Sequence, residues 1–313
     1  MKTAVCGVWH VHAPEYTRHA MELGEVLGFY EENDALAEAF QKEFGLPRFA
    51  SLEELLSSDA EGVIVCSATS DHPDLMVQIA NAGKHIFTEK VLALTTGECL
   101  RIEEAVNANG VNFAISMFQK SLASRRAVKA VADSGELGKI NYLRFRNCHS
   151  GSTKDWLPDH FYSAAQCGGG AMIDLGAHGM YLSHWILGLP VSAASAFTVS
   201  HENRRNADGV EDNAVTVMRY ADGAIAVTET GFVSNYCPTV FEVSGEEGYV
   251  RMVGDRVVKC TQATEGKEVE VELPEALPKP IVQFLTDGVA PECTMEEAKA
   301  LTKLMEMAYA GKM

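Results

Sequence analysis

Asp174 and His178 stand four residues apart in the stretch Gly168-Gly169-Gly170-Ala171-Met172-Ile173-Asp174-Leu175-Gly176-Ala177-His178. A carboxylate and an imidazole at that spacing share one helical face, where the first can orient a group and the second can act as general base. Three consecutive glycines ahead of them free the backbone and let a ligand come close. The apolar residues Met172, Ile173, Leu175, Met180, Leu182, Trp185, Ile186 and Leu187, closed by Gly188 and Pro190, predict the helix that carries the pair. Taken alone, the pair reads equally as a polar surface of that helix.

A second set of chemistry-bearing residues opens the chain, in Gly7-Val8-Trp9-His10-Val11-His12. Placed on the dinucleotide fingerprint G-x-G-x-x-G, Trp9 and His12 occupy the second and third glycine positions. Trp9 denies the close backbone approach glycine gives, but N–H groups at a helix start can still cradle a diphosphate. Glu31 lies 24 residues after Gly7, where a carboxylate would hydrogen-bond an adenine ribose. His10-x-His12 also has a zinc-ligating reading, as at the start of a hydrolase barrel. Such a barrel needs strand–helix alternation throughout, which the C-terminal half lacks. No metal is therefore expected.

The elements that must position these groups fall into two patterns. Up to residue 119, strands (Thr3–Gly7, Glu25–Tyr30, Gly62–Cys66, His85–Thr88, Asn112–Ser116) alternate with helices (Pro14–Leu23, Asp34–Phe44, Pro73–Ala82 and one from Thr95 to Asn109). Capping boxes start at Ser51 and Thr95. This order predicts a doubly wound parallel sheet in residues 1–119. Residues 120–313 read differently: a helix near Ser124–Ser134, strand Ile140–Cys148, the glycine loop and its helix, then strands with turns such as Asp222-Gly223. That is an α+β domain on a largely antiparallel open sheet, laid out as a meander. A capping box at Thr294 starts a last helix.

Composition narrows the partners. A net charge of -17 argues against nucleic acid and anionic membrane surfaces. No run of apolar residues is long enough to span a bilayer, and the chain enters a strand at once, leaving no room for a signal peptide. Eight scattered cysteines without a C-x-x-C pair fit a reducing cytoplasm.

With these residues laid out, the chain resembles the Gfo/Idh/MocA family, typified by glucose–fructose oxidoreductase and inositol dehydrogenases. Glu89-Lys90-Val91-Leu92-Ala93 is similar to its E-K-P-x-A, and Gly168–His178 to its G-G-G-x-x-x-D-x-G-x-H. Ser67-Ala68-Thr69-Ser70-Asp71-His72 stands in the place of T-P-N-x-x-H, and Glu211-Asp212-Asn213-Ala214 opens a sheet strand. The resemblance implies hydride transfer between NAD(P) and a hydroxyl carbon of a sugar, cyclitol or related polyol. It makes Lys90 a contact to substrate and nicotinamide ribose, Asp174 a substrate-orienting group and His178 the acid/base. Gly7, Trp9, His10, His12, Glu31, Ser67, Thr69, His72, Glu89 and Lys90 are the expected cofactor-binding residues. Lys120, His160 and Tyr162 are candidates for the substrate wall, although the segment Trp156–Cys167 reads equally as loop packing.

Val91 replaces the family's proline, removing a fixed φ beside Lys90. Glu31 and Glu32, with no arginine in Tyr30–Ala35, favour NAD over NADP. Val215, Val217, Val227 and Phe232 suggest a sheet face that needs covering, hence a homodimer or homotetramer. Two alternatives stay open: a non-catalytic nucleotide- or sugar-binding regulator of the same family, and a metal-dependent hydrolase using His10 and His12.

Overall fold

A computed structural model describes residues 1–312 apart from Asn203. The chain divides into two units, Met1–Met117 with Pro278–Thr302, and Phe118–Leu277 with the residues from Lys303 onward.

The first unit runs β1 (Lys2–Cys6), α1 (Ala13–Leu23), β2 (Glu25–Tyr30), α2 (Asp34–Phe44), α3 (Leu52–Ser57), β3 (Gly62–Val65), α4 (His72–Asn81), β4 (His85–Thr88), α5 (Thr96–Asn109) and β5 (Phe113–Ile115). All five strands are parallel, in the order β2-β1-β3-β4-β5. β3 is buried along its whole length, which explains its unbroken apolar sequence Gly62-Val63-Ile64-Val65. The strand order reverses beside β1, and the crevice beyond the carboxyl ends of β1 and β3 is where such sheets take ligands. The Thr95–Glu98 capping box forms in full; at Ser51 only half does, because Glu54 accepts the Ala50 N–H instead. Residues 278–302 return to this unit. Their helix Pro280–Asp287 places Phe284 5.7 Å from the Phe87 ring of β4.

The second unit contains α6 (Ala123–Asp133), β6 (Ile140–Cys148), α7 (Ala164–Cys167), α8 (Ala177–Leu187) and β7 (Ser192–Thr198). Then follow β8 (Asn213–Arg219), β9 (Ile225–Gly231), β10 (Val240–Gly245), β11 (Gly248–Val253), β12 (Arg256–Thr261) and the short β13 (Val269–Glu270). The eight-stranded order is β13-β12-β11-β10-β6-β9-β8-β7. It is not a plain meander, because β6 inserts between β10 and β9 and pairs with β9 in parallel. α6 and α8 pack on one face. The other face shows Val215, Val217 and Ile225 to solvent beside the Arg144–Glu229 ion pair. Phe232, expected on that open face, is instead fully buried against His149, so its apolar area is already covered within the unit.

The packing of residues 278–302 yields a prediction. Phe284→Ala deletes a fully buried ring and should destabilise the first unit by about 3–5 kcal/mol, read as a lower urea midpoint. An unchanged midpoint would mean that the returning helix is not part of that core.

Candidate active site

In the first unit, Gly7 ends β1 with φ +76° and lies against β3's exit: a Cβ there would come 2.6 Å from the Ser67 nitrogen. Only glycine meets both demands. The loop after it is pinned by the His10 N–H donating to the Cys66 carbonyl (2.9 Å). Glu31 closes the end of β2, its carboxylate accepting the N–H groups of Val8 and Asn33, both at 2.8 Å. Each oxygen keeps a second lone pair for further donors. Ser67 Oγ is buried without a hydrogen-bond partner. An orphaned hydroxyl at the strand switch, with an acid held at the end of the neighbouring strand, fits a dinucleotide.

Beside this loop, Glu89 is buried at the end of β4. Its carboxylate accepts from His12 Nδ1 (2.8 Å), from the Tyr16 hydroxyl and from the Lys90 N–H (3.0 Å). Tyr16 in turn lies 2.7 Å from Ser116 Oγ. Burial would push the Glu89 carboxyl up, but the charges of His10 and His12, the His12 hydrogen bond and Lys90 hold it well below the usual carboxylate range. For His12 burial works downward, and the Glu89 carboxylate outweighs it, leaving the imidazole above its ordinary value. His10, His12 and Glu89 bring ligand atoms within 4.8 Å of one another, a set that a divalent cation could use. The open parallel sheet around it is not the barrel a hydrolase reading requires. His72 starts α4 with Nδ1 3.0 Å from the Leu92 carbonyl, so it holds the chain after Lys90. Burial lowers its pKa. Thr69 lies in the turn just before α4. The Lys90–Val91 peptide is cis.

In the second unit the three glycines serve packing more than ligand approach. Gly168 takes φ +82°, while a Cβ on Gly169 or Gly170 would lie 1.9 Å from the Tyr309 hydroxyl or 2.1 Å from the Glu211 carbonyl oxygen. Buried Glu211 accepts the N–H groups of Gly170 and Met172, both at 3.0 Å, and the Tyr309 hydroxyl at 2.7 Å. Met172–Gly176 is a π-helical turn that runs into α8, so Asp174 and His178 are not on one continuous α-helical face as the spacing suggests. Gly176 permits it, since a Cβ there would meet the Met172 sulfur at 2.3 Å. Asp174 is half-buried and His178 is buried. His178 Nδ1 lies 2.9 Å from the Tyr181 hydroxyl, whose oxygen also accepts the Gln119 N–H (3.3 Å). Phe118 meets the His178 ring edge-on.

Two regions of this chain match models of one family. Residues 1–117 match its "Oxidoreductase family, NAD-binding Rossmann fold" domain, and residues 125–251 its "GFO/IDH/MocA C-terminal domain". The chain belongs to the GFO/IDH/MocA family. It is an oxidoreductase of that family with a Rossmann-type NAD-binding domain. Among curated relatives of this GFO/IDH/MocA chain, 1,5-anhydro-D-fructose reductase of Ensifer adhaerens is 27% identical over 231 residues, 72% of this chain and 67% of the relative. The scyllo-inositol 2-dehydrogenase (NAD(+)) of Bacillus subtilis (strain 168) is 27% identical over 220 residues, 68% of this chain and 62% of its own length. GenD2 from gentamicin A biosynthesis, solved in complex with NAD, shares the fold at TM-score 0.81 and 24% identity, over 99% of this chain and 93% of that one.

Within this GFO/IDH/MocA fold the structure groups Gly7, Ser67, His10, His12, Glu89 and the Lys90 backbone, and sets Glu31 on the same loop through Val8. In the second unit it joins His178 to the turn carrying Lys120, which is buried with its amine 5.9 Å from the Trp185 ring. Tyr162 turns inward, its hydroxyl on Ser152 at 2.9 Å, while His160 packs on Phe161. Four supporting residues escaped the sequence reading. Tyr16 and Tyr181 were visible in principle, four and three residues after a candidate histidine. Glu211 reads from sequence only as a strand opening. Arg48 gave no signal: a bridge to Phe29 carries its guanidinium to the Glu31 carbonyl (2.6 Å) and the Asp34 carboxylate (2.8 Å).

Two predictions follow from this packing and charge. Gly170→Ala should cost about 2–3 kcal/mol by overpacking against the Glu211 backbone, lowering the melting temperature. The His12–Glu89 pair should stabilise the fold most between the two unfolded-state values, roughly pH 4 to 6.5. Glu89, depressed in the fold, contributes above its unfolded value and loses this only as pH falls. His12, raised in the fold, contributes fully below its unfolded value and loses this as pH climbs through the folded one. In melting curves at stepped pH, the margin of wild type over His12→Gln should therefore shrink on the alkaline side; a constant margin would refute the coupling.

Proposed function

We propose that this protein is an NAD-dependent dehydrogenase acting on a hydroxyl carbon of a sugar, cyclitol or related polyol. The observation that carries this is His178, a buried imidazole whose Nδ1 is engaged by Tyr181, following Asp174 in a family of oxidoreductases. Oxidising an alcohol requires an acceptor for the hydroxyl proton as hydride leaves carbon. With Nδ1–H donating to the Tyr181 oxygen, Nε2 keeps the lone pair that such an acceptor needs. Asp174 is assigned to holding a substrate hydroxyl, and Lys90 to the substrate and nicotinamide ribose, as a cation that steadies developing alkoxide charge. Lys120 and His160 are retained as substrate contacts. Tyr162, being buried, supports the wall from behind.

The first unit would hold the dinucleotide through Gly7, Trp9, His10, His12, Ser67, Thr69, His72, Glu89 and Lys90, with Glu31 accepting the ribose hydroxyls. NAD supplies the hydride acceptor when bound. NAD is favoured over NADP because a 2′-phosphate would meet Glu31 and Glu32, and the Arg48 charge is already matched by Asp34. Binding of NADPH as tight as that of NADH, by fluorescence titration, would reverse this preference. The open sheet face with Val215, Val217 and Ile225 suits a homo-oligomer, to be checked by sedimentation at micromolar concentration. Among the described residues no helix is long and apolar enough to cross a membrane, and no disulfide links the eight cysteines. Both are compatible with a reducing cytoplasmic setting.

The test is NADH formation across a panel of sugars, sugar acids and inositols. On a proven substrate, His178→Asn should keep NADH binding and lower kcat by roughly two to four orders of magnitude. Asp174→Asn should raise KM as well as lower kcat, since a substrate hydroxyl loses a charge-assisted partner. Near-wild-type kcat in His178→Asn would place the proton elsewhere.

A further inference from the structure

We propose that Cys148 and Cys237 form a redox-active dithiol site that takes a two-electron oxidant of the hydroperoxide class and closes to a disulfide, with Arg146 beside both sulfurs. The site stands apart from the dehydrogenase reading and needs neither dinucleotide nor substrate. Strand pairing brings the two cysteines together from distant parts of the chain. β10 runs antiparallel to β6, with Phe241 opposite Phe145 and Val240 opposite Arg146. Continued past the end of β10, that register sets Pro238 opposite Cys148 and Cys237 next to it. The other side of the loop is fixed as well: the His149 N–H donates to the Gly231 carbonyl (2.9 Å), and the His149 carbonyl accepts the Ser234 N–H (3.0 Å). Residues 232–239 are thus folded back over the end of β6, and the two thiols lie within hydrogen-bonding reach of each other.

Exposure and charge separate this pair from the other thiols. Cys6, Cys66, Cys99, Cys167 and Cys293 are buried, where a thiol is inert, and burial pushes Cys6 up to about 12. Cys148 and Cys237 are both partly exposed. Cys148 shares the outward side of β6 with Arg144 and Arg146, while Leu143 and Phe145 point into the core. Arg144 holds Glu229 at two points, 2.5 and 2.9 Å, and Arg146 lies 3.7 Å from the same carboxylate. The Arg146 guanidinium also hydrogen-bonds the Cys148 sulfur and lies near Cys237. A cation beside a sulfur favours the thiolate, which is the form that attacks an oxidant.

The reaction needs no group beyond the oxidant. Burial pushes the Cys148 thiol up, against the pull of Arg146, so Cys148 keeps its proton and Cys237 makes the first attack. The Cys237 thiolate takes one oxygen from the O–O bond of hydrogen peroxide and becomes a sulfenic acid. The hydroxide released picks up the proton that Cys237 gave away and leaves as water. The Cys148 sulfur then attacks the sulfenic sulfur, its own proton joins the departing hydroxide, and a second water leaves. The two thiols have lost two electrons and the peroxide has gained them. A dithiol reductant reverses the bond by exchange, so in a reducing compartment it is transient. While it lasts it ties residues 232–239 to the root of the segment after β6, where the Ser152 N–H already donates to the Phe232 carbonyl (2.9 Å).

The experiment treats the reduced full chain with hydrogen peroxide, quenches with N-ethylmaleimide and maps the cysteines by peptide mass spectrometry. Wild type should lose about 2 Da before alkylation and yield a peptide joining Cys148 to Cys237 that dithiothreitol separates. Cys148→Ser should stop at a sulfenic acid on Cys237, trapped by dimedone. Arg146→Met should slow formation of the bond roughly tenfold while the partly exposed Cys260 reacts as before, which a general loosening of the sheet would not produce. The wild-type map decides the pairing without any variant. Cys148 and Cys237 alkylated as fully as before treatment, either of them oxidised past the sulfenic stage without the link, or a link between two copies of the chain in its place overturns the proposal. An unchanged rate in Arg146→Met overturns the part given to Arg146.

Discussion

A carboxylate buried at the end of a parallel strand must be given donors and a counter-charge, and in the first unit that requirement organises the chemistry. Glu89 draws His12 and Tyr16 from the loop and first turn of α1, and the Lys90 N–H from its own chain. The residue carrying the ammonium and the loop facing the strand switch are thereby fixed to one anchor. Without the imidazole the carboxylate would lose its hydrogen-bonded charge partner, and removing one partner of such a buried pair typically costs several kcal/mol. Local geometry around the cofactor loop and local electrostatics are the same set of bonds.

The second unit uses the device again. Glu211, also buried, accepts two N–H groups from the glycine loop and the Tyr309 hydroxyl. The glycines let that carboxylate and that ring come close, and the π turn after them sets where Asp174 and His178 point. Tyr181 then fixes the imidazole from the next turn of α8. In both units a glycine-bearing loop is held by an acid from a distant part of the sequence, and the chemistry-bearing residues follow the loop.

Much of this was legible in the sequence. The strand–helix alternation, the Thr95 capping box and the strands of both sheets follow from periodicity and turn residues, because each is a local preference that packing did not override. What was missed depended on pairings between distant segments. Arg48 reaches Glu31 through a single bridge to an edge strand, and nothing in its neighbours marks that. The parallel pairing of β6 with β9 breaks the meander that hairpin turns alone suggest. The helix Pro280–Asp287 had its signals, Pro280 and then Ile281, Phe284 and Leu285 before Gly288, but its return to the first unit is a tertiary fact. Gly169 and Gly170 read from sequence as room for a ligand, and their packing role is hidden for the same reason: the atoms that exclude a Cβ come from Tyr309 and Glu211.

The central claim is that His178, held through Nδ1 by Tyr181, accepts the proton of the substrate hydroxyl. The pH dependence of alcohol oxidation on a proven substrate, measured for wild type and His178→Asn, tests it most directly. The wild-type rate should rise with pH through a single group and then flatten, and His178→Asn should lose that rise. The same pH profile in His178→Asn as in wild type would contradict it.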